Sequence, residues 1–364
     1  MTRITAAVLE EPRELSIESL ELAEPKAGEI RVDVRATGVC HTDHHRYVGT
    51  SEVPHPVVLG HEGAGVVDAI GDGVSSLSEG DHVALWVLPF CRECEFCERG
   101  DPHLCSRRSV VKQGTLLDGT RRLSRNGESV NHFYGQSSFA SHCVVAEQTA
   151  VKIPDGLPFS EASLLGCGAT TGLGAVTNTA GVSAGEPVAI FGCGGVGASA
   201  ILGARLVGAD PIIAVDIVNE KLSFIEELGA THTVNSLDSD PVETIQNVSN
   251  GGVEYAFECT SRPDVVKQAI GAVRPGGTVV STATSSADHF EVPPGALTHG
   301  KRIVGNVGGS LRPSTDIPRF AKLAESGRLP LEKIVSETYS LDQLDQAFEA
   351  IDEGTGIRSV VTQE

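Results

Sequence analysis

Residues 188–197 read VAIFGCGGVG, and the ten that follow, ASAILGARLV, continue at helical spacing. Val188–Phe191 is a short unbroken apolar run, the pattern of a strand buried on both faces. The run stops at Gly192. Gly192, Gly194 and Gly197 then stand in Gly-x-Gly-x-x-Gly register, with Gly195 and Val196 between them at the expected start of the helix. Glycines there permit a tight turn, close approach of a pyrophosphate and close packing of helix on strand, while the free amides and dipole of the helix N-terminus favour the anion. A second apolar run, IIAVDI, carries Asp216, nineteen residues beyond Gly197. An acid about 20 residues on is placed to hold a ribose 2′-hydroxyl and to repel a 2′-phosphate, so the motif predicts a dinucleotide site that takes NAD in preference to NADP.

Outward from this turn, THTVN, VEYAFECT and GTVVSTAT read as strands, and EKLSFIEELGA and PDVVKQAIGAV as helices. Strands alternating with helices predict βαβ units and a doubly wound parallel sheet, an α/β domain. KRIVGNVGG reads as a further strand before the helical DIPRFAKLAESG and LDQLDQAFEAIDEG. Residues 1 to about 168 differ: EIRVDVRATGV, HPVVLGHEGAGVVDAIG and GDHVALWVL alternate and are broken by Gly, Pro and Asp turns. That pattern predicts an antiparallel, barrel-like β domain.

A chain of 364 residues is long enough for about two domains. Its 48 acidic against 28 basic residues, net −20, argue against a nucleic-acid surface, and Arg107–Arg108 and Arg121–Arg122 are too short as basic runs to reverse that. No run of about 18 apolar residues occurs and MTRITAAVLEEPREL has no signal-peptide core, so we expect no membrane span and a cytoplasmic protein. In a reducing compartment nine cysteines are poor candidates for disulfides, and clustered ones are better read as metal thiolates.

Residues 91–105, CRECEFCERGDPHLC, hold four such cysteines, Cys91, Cys94, Cys97 and Cys105. They could belong to a nucleic-acid-binding knuckle, a redox centre or a structural metal site. Four sulfurs leave no vacancy for water or substrate, which is the composition of a structural zinc site. A second, dispersed set consists of Cys40, His41, Asp43, His44, His45, His61, Glu62 and Cys167. Three Cys and His ligands with one open position suit a catalytic zinc, but spacing alone does not bring such distant segments together.

Gly60-His61-Glu62-x-x-Gly65 followed by Gly71 and Val74, together with the four-cysteine segment, resembles the zinc-dependent medium-chain alcohol dehydrogenases. The likeness runs end to end. It includes GTLLDGTRRLSRNGESVNHFYGQSSFASHCVV, which is similar to a segment of the long, liver-type members. The resemblance implies a GroES-like catalytic domain over 1–168 with a structural-zinc lobe at about 91–105, a Rossmann NAD domain over 169–306, and a return to the catalytic domain over 307–364. It implies two zinc ions per chain, the catalytic one on Cys40, His61 and Cys167, with Glu62 behind it and Asp43 orienting His61. Thr42 would take the alcohol proton and pass it through the cofactor ribose to His45. His41 and Arg358 would face the pyrophosphate, Lys221 the adenosine ribose, and Thr284 the cofactor end of the pocket. Val87, Phe133 and Tyr134 would line that pocket. The implied partners are a small alcohol or aldehyde and a second copy of the chain in a homodimer, or three in a tetramer, with no nucleic acid and no membrane.

The expected chemistry is reversible oxidation of primary alcohols to aldehydes by hydride transfer to NAD, helped by zinc as a Lewis acid. Oxidation of the thiol adduct of formaldehyde is the alternative within the same class. A non-catalytic zinc-binding interaction protein is the remote one.

Overall fold

Six parallel strands line up in the order His232–Asn235, Ile212–Asp216, Val188–Phe191, Val253–Glu258, Val273–Ser281 and Arg302–Gly305. In chain order this is 3-2-1-4-5-6, and its direction reverses between Val188–Phe191 and Val253–Glu258, where doubly wound sheets place their ligands. The computed structural model describes residues 1–282, 289–292 and 294–363. These fall into two units, Met1–Cys167 with Arg312–Glu364, and Gly168–Leu311.

In the Gly168–Leu311 unit the apolar runs seen in the sequence supply the core: Phe191, Ile213, Val215, Val253 and Val279 pack with Ile245, Val266 and Ile270 from the helices. The helices Gly195–Val207, Asn219–Leu228 and Pro263–Ala272 occupy the predicted segments. A further helix, Pro241–Val248, lies between THTVN and VEYAFECT, where sequence periodicity gave no element. Its signal was the start: Asp240 accepts from the Val242 and Glu243 amides, and Pro241 occupies the first turn. The segment Gly168–Gly174 is also helical, and its glycines are spacers. A Cβ on Gly172 would strike the Val196 carbonyl, and one on Gly174 the Gly309 backbone.

The other unit is β-rich. Thr2–Glu11, Glu14–Leu22, Leu123–Arg125, Glu128–His132 and Val57–Val58 close a barrel, and a seven-stranded sheet is built around Glu29–Gly38, Gly63–Ile70 and His82–Leu85. Pairing is antiparallel, as alternation predicts, except for two parallel pairs, Val57–Val58 with Glu128–His132 and Val335–Tyr339 with Arg358–Thr362. The last pair stitches the C-terminal segment into the same sheet, because Arg358–Thr362 also pairs with Glu29–Gly38. No described helix is long and apolar enough to cross a membrane.

One short helix in this unit, His41–Tyr47, carries much of the candidate chemistry. Its Tyr47 ring stacks on Phe348 at 4.5 Å, and both belong to a core with Leu59, Phe133, Phe139 and Leu344. Seven residues do not hold a helix by themselves, so this packing fixes the face it presents.

Candidate active site

The Cys91–Cys105 segment folds back on itself so that its four sulfurs meet. Sγ–Sγ separations are 3.5 Å for Cys94–Cys97, 3.6 Å for Cys91–Cys105, 3.9 Å for Cys94–Cys105 and 4.0 Å for Cys91–Cys97. A tetrahedral zinc with metal–sulfur bonds of about 2.3 Å implies edges of about 3.8 Å, so the set fits that ion. Backbone amides of Cys97 and Ser106 pull the Cys94 thiol down to about 5. Arg107 pairs with Glu93, and Arg108 donates to the His103 carbonyl at 2.5 Å, so both arginines serve the lobe.

A second set gathers Cys40, His61, Glu62 and Cys167, whose ligand atoms all lie within 4.8 Å of one another. Cys40 caps the His41–Tyr47 helix, and Asp43, in the first turn, closes a capping box onto the Cys40 amide. The Asp43 carboxylate also accepts from the Gly60 amide and from His61 Nδ1, each at 3.0 Å. With Nδ1 so committed, His61 Nε2 is left buried without a hydrogen-bond partner. A wholly buried imidazole nitrogen between two thiols is costly unless something binds it, and a soft divalent ion suits that donor set.

Glu62 comes from the same strand approach as His61 and pairs with Arg358. Burial pushes the Glu62 carboxyl up to about 7, with Arg358 opposing. A hydrogen bond from Cys167, aided by the Arg358 charge, pulls the Cys40 thiol well below its usual range. Gly38 is required here, because a Cβ would collide with Glu62.

Aromatic residues wall this cluster. Phe133 lies 5.6 Å and Tyr134 5.3 Å from the His61 ring, and Tyr134 holds a left-handed φ of 50° that aims its side chain. Val87 is buried, and its amide donates to the Gly166 carbonyl beside Cys167. Thr42 and His45 are half-buried on the helix and His41 is exposed. His44 faces the packed side, with Nε2 2.9 Å from Asp352 and its ring against Phe348.

In the Gly168–Leu311 unit, Gly192 has φ 90°, and a Cβ on Gly197 would strike the Gly192 carbonyl. Gly195 and Val196 begin the helix, whose cap, Gly194, offers no side-chain hydrogen bond and opens onto space that a Cβ would enter. Free amides before such a space fit a pyrophosphate. Asp216 is engaged by backbone amides: Oδ2 accepts the Cys193 amide at 2.7 Å, and Oδ1 those of Ile217 and Val218 at 2.7 and 3.1 Å. It therefore ties the glycine turn to the next strand. Burial pushes the Cys193 thiol up, with the Asp216 charge adding and Lys221, close by, opposing. Thr284 lies outside the described residues.

Two sequence profiles match this chain: an alcohol dehydrogenase GroES-like domain over residues 26–155 and a zinc-binding dehydrogenase domain over 195–326. Alcohol dehydrogenase class-3 of Cereibacter sphaeroides is 37% identical over 99% of each chain. The S-(hydroxymethyl)glutathione dehydrogenase of Komagataella pastoris is 36% identical, covering 98% of this chain and 96% of the relative. The chain belongs to the zinc-dependent alcohol dehydrogenases. Among solved structures, benzyl alcohol dehydrogenase from Acinetobacter calcoaceticus superposes with a TM-score of 0.95 at 35% identity, covering 100% of both chains.

Two features of this dehydrogenase site escaped the sequence reading. Arg358, expected to face a pyrophosphate, is buried, and its guanidinium is committed to Glu62 from 296 positions away. Despite burial, the charges of Glu62, Cys40 and Cys167 hold it protonated. Arg46, not singled out at all, stands with its Cζ 5.7 Å from the Phe133 ring centroid. Its spacing from Thr42, one helical turn, was the available signal.

Proposed function

We propose that this enzyme interconverts primary alcohols and aldehydes by hydride transfer with NAD, using Cys40, His61 and Cys167 to hold a catalytic zinc and Cys91, Cys94, Cys97 and Cys105 to hold a structural one. The observation that carries this reading is the buried His61 Nε2, unpartnered between thiols while Nδ1 is fixed by Asp43. When bound, zinc supplies Lewis acidity toward an alcohol or carbonyl oxygen and NAD accepts the hydride.

The chain's own residues do the rest. Asp43 fixes the His61 tautomer, so that Nε2 presents a lone pair. Thr42 accepts the hydroxyl proton while passing on its own, and His45 delivers a proton to solvent. Val87, Phe133 and Tyr134 shape an apolar wall that orients the substrate and keeps water from the reacting carbon. Glycines 192, 194 and 197 seat the pyrophosphate on the helix N-terminus, Lys221 stands by the adenosine ribose, and Asp216 favours NAD over NADP. Zinc-loaded enzyme should reduce NAD with a panel of primary alcohols and lose that activity when the metal is stripped. A panel with no NAD reduction would overturn the reading.

Oxidation of a formaldehyde–thiol adduct is the second reading, favoured by the relative named S-(hydroxymethyl)glutathione dehydrogenase. Arg107 and Arg108, the basic pair that follows the lobe cysteines, are occupied within the lobe. Formaldehyde with and without glutathione distinguishes the two. The strand Arg302–Gly305 has a sheet neighbour on one side only among the described residues, and we assign its open edge to homodimer pairing, which light scattering tests against a tetramer. Two thiolate clusters suit a reducing compartment, the cytoplasm.

A further inference from the structure

Arg46 is the fourth residue after Thr42 on the His41–Tyr47 helix, so the two share a face. Its Nη1 donates to the Thr42 carbonyl at 3.2 Å, and its Cζ stands over the Phe133 ring at 5.7 Å. Phe133 is in turn 5.6 Å from the His61 ring, so at most about 11 Å separates the guanidinium carbon from the imidazole centre. Arg46 Nε is buried and has no hydrogen-bond partner. No carboxylate pairs with this side chain among the described residues, in a chain with 48 acidic residues. Arg13, stacked on Tyr47, reaches Asp352 at 3.8 Å.

A cation near a helix C-terminus is favourable in general. That accounts for a basic residue at this position, but not for an Nε that is buried beside an aromatic wall and lacks an acceptor while Nη1 is held by the Thr42 carbonyl. Such a donor costs free energy unless a ligand satisfies it. Phe133 also flanks His61, so a substrate chain running from the His61 cluster along that ring spans the distance to the guanidinium.

We propose that Arg46 is a specificity residue that selects alcohols and aldehydes carrying a carboxylate at the end remote from the reacting carbon: short ω-hydroxy acids and the corresponding aldehyde acids. This rests on the alcohol dehydrogenase reading above. The carboxylate accepts from the guanidinium, whose fork matches its two oxygens, while the alkyl chain lies along Phe133. In the oxidation, the hydroxyl carbon gives a hydride to NAD and the hydroxyl proton leaves to solvent. The product is the aldehyde, and the carboxylate is unchanged.

The test compares 6-hydroxyhexanoate with 1-hexanol on zinc-loaded enzyme. Wild type should have the higher kcat/KM for the hydroxy acid. Arg46→Met, which keeps length and packing on Phe133, should lower the ratio of the two by roughly tenfold to a hundredfold, chiefly through KM. Arg46→Lys should recover part of it. Calorimetry without NAD should show tighter binding of the hydroxy acid to wild type, and the Met variant should lose that advantage. A ratio that stays within about twofold in the Met variant, or both substrates falling together in the Met and Lys variants, overturns the inference. So does a wild type that oxidises 1-hexanol and rejects the acid, which leaves the dehydrogenase reading standing. If neither these nor other primary alcohols reduce NAD, both fall.

Discussion

Asp43 Oδ1 lies 3.0 Å from His61 Nδ1, with both side chains fully buried, and accepts the Gly60 amide at the same distance. One carboxylate thus sets the helix cap at Cys40, the turn before His61 and the tautomer of His61. Replacing it with alanine strands two buried donors, Gly60 N and His61 Nδ1. Asp43→Ala should weaken zinc at the catalytic site about 10–100-fold, read by chelator competition with elemental analysis. Unchanged zinc affinity in a folded Asp43→Ala protein would show that the carboxylate only shapes the turn.

The two metal sites should separate by phenotype. Cys97→Ser breaks the closed four-sulfur set, and metal binding there is coupled to the fold of the lobe. It should lower the melting temperature and the zinc content together. Cys167→Ser should remove one zinc and abolish turnover while the chain stays folded. A single zinc in fully active wild-type enzyme contradicts both expectations.

These two sites also mark what sequence can and cannot reveal. The four lobe cysteines span fifteen positions, so their spacing and their geometry are nearly the same information. The glycine turn was legible for a similar reason: strand, turn, helix and acid follow one another within a single βαβ unit. Cys40, His61 and Cys167 come from three separate segments, and only the resemblance grouped them. The Glu62–Arg358 pair was invisible, because it depends on a C-terminal strand crossing back to lie beside Glu29–Gly38. The helix Pro241–Val248 was missed because eight residues give too few turns for periodicity to stand out from background.

Substitutions at Asp216 should separate its observed hold on the glycine turn from the proposed contact with the cofactor ribose. The wild type should use NAD far better than NADP. Asp216→Asn removes the charge but keeps an acceptor for the surrounding amides, so it should narrow the NAD/NADP ratio in kcat/KM by roughly tenfold with a small change in melting temperature. Asp216→Gly should narrow the ratio and also loosen the turn, since the Cys193, Ile217 and Val218 amides lose their acceptor. A wild type that prefers NADP would refute the ribose assignment.

His132 should make the fold acid-labile. It is buried, its Nε2 accepts the Arg122 amide at 2.9 Å, and burial with the Arg122 and Arg121 charges pushes its pKa down from 6.5 to about 3. The folded value lies below the unfolded one, so as pH falls the unfolded chain takes the proton first. The contribution of neutral His132 is therefore complete above about pH 6.5 and is lost progressively down towards pH 3. Between pH 7 and pH 5 the unfolding free energy of wild type should fall by about 2 kcal/mol more than that of His132→Gln, measured by urea denaturation. Parallel pH profiles for the two proteins would assign the acid lability elsewhere.

The proton path gives the strictest test of the site, because it depends on where side chains lie and not on whether metal is bound. A hydroxyl proton released inside an apolar wall needs a route to water. Thr42 and His45 stand one helical turn apart and are both half-buried, whereas His44 is turned away to Asp352 at 2.9 Å. Burial and the His44 and Arg46 charges lower the His45 pKa below its ordinary 6.5. Neutral imidazole is the form that accepts a proton, so wild type keeps its acceptor at, and somewhat below, that pH. His45→Ala should match wild type most closely at high pH and fall behind as pH drops toward the region near ~6.5, where hydroxide is scarce. Small-molecule buffer base should restore part of the lost rate. Thr42→Ala should be more damaging and unresponsive to buffer, since the hydroxyl is the first acceptor in the proposed relay. His44→Ala should lower stability through its contacts with Asp352 and Phe348, with no buffer response. These comparisons need an assay in which a deuterium isotope effect shows hydride transfer to be rate-limiting. There, an unchanged pH profile for His45→Ala, together with buffer rescue of His44→Ala, would move the relay to His44.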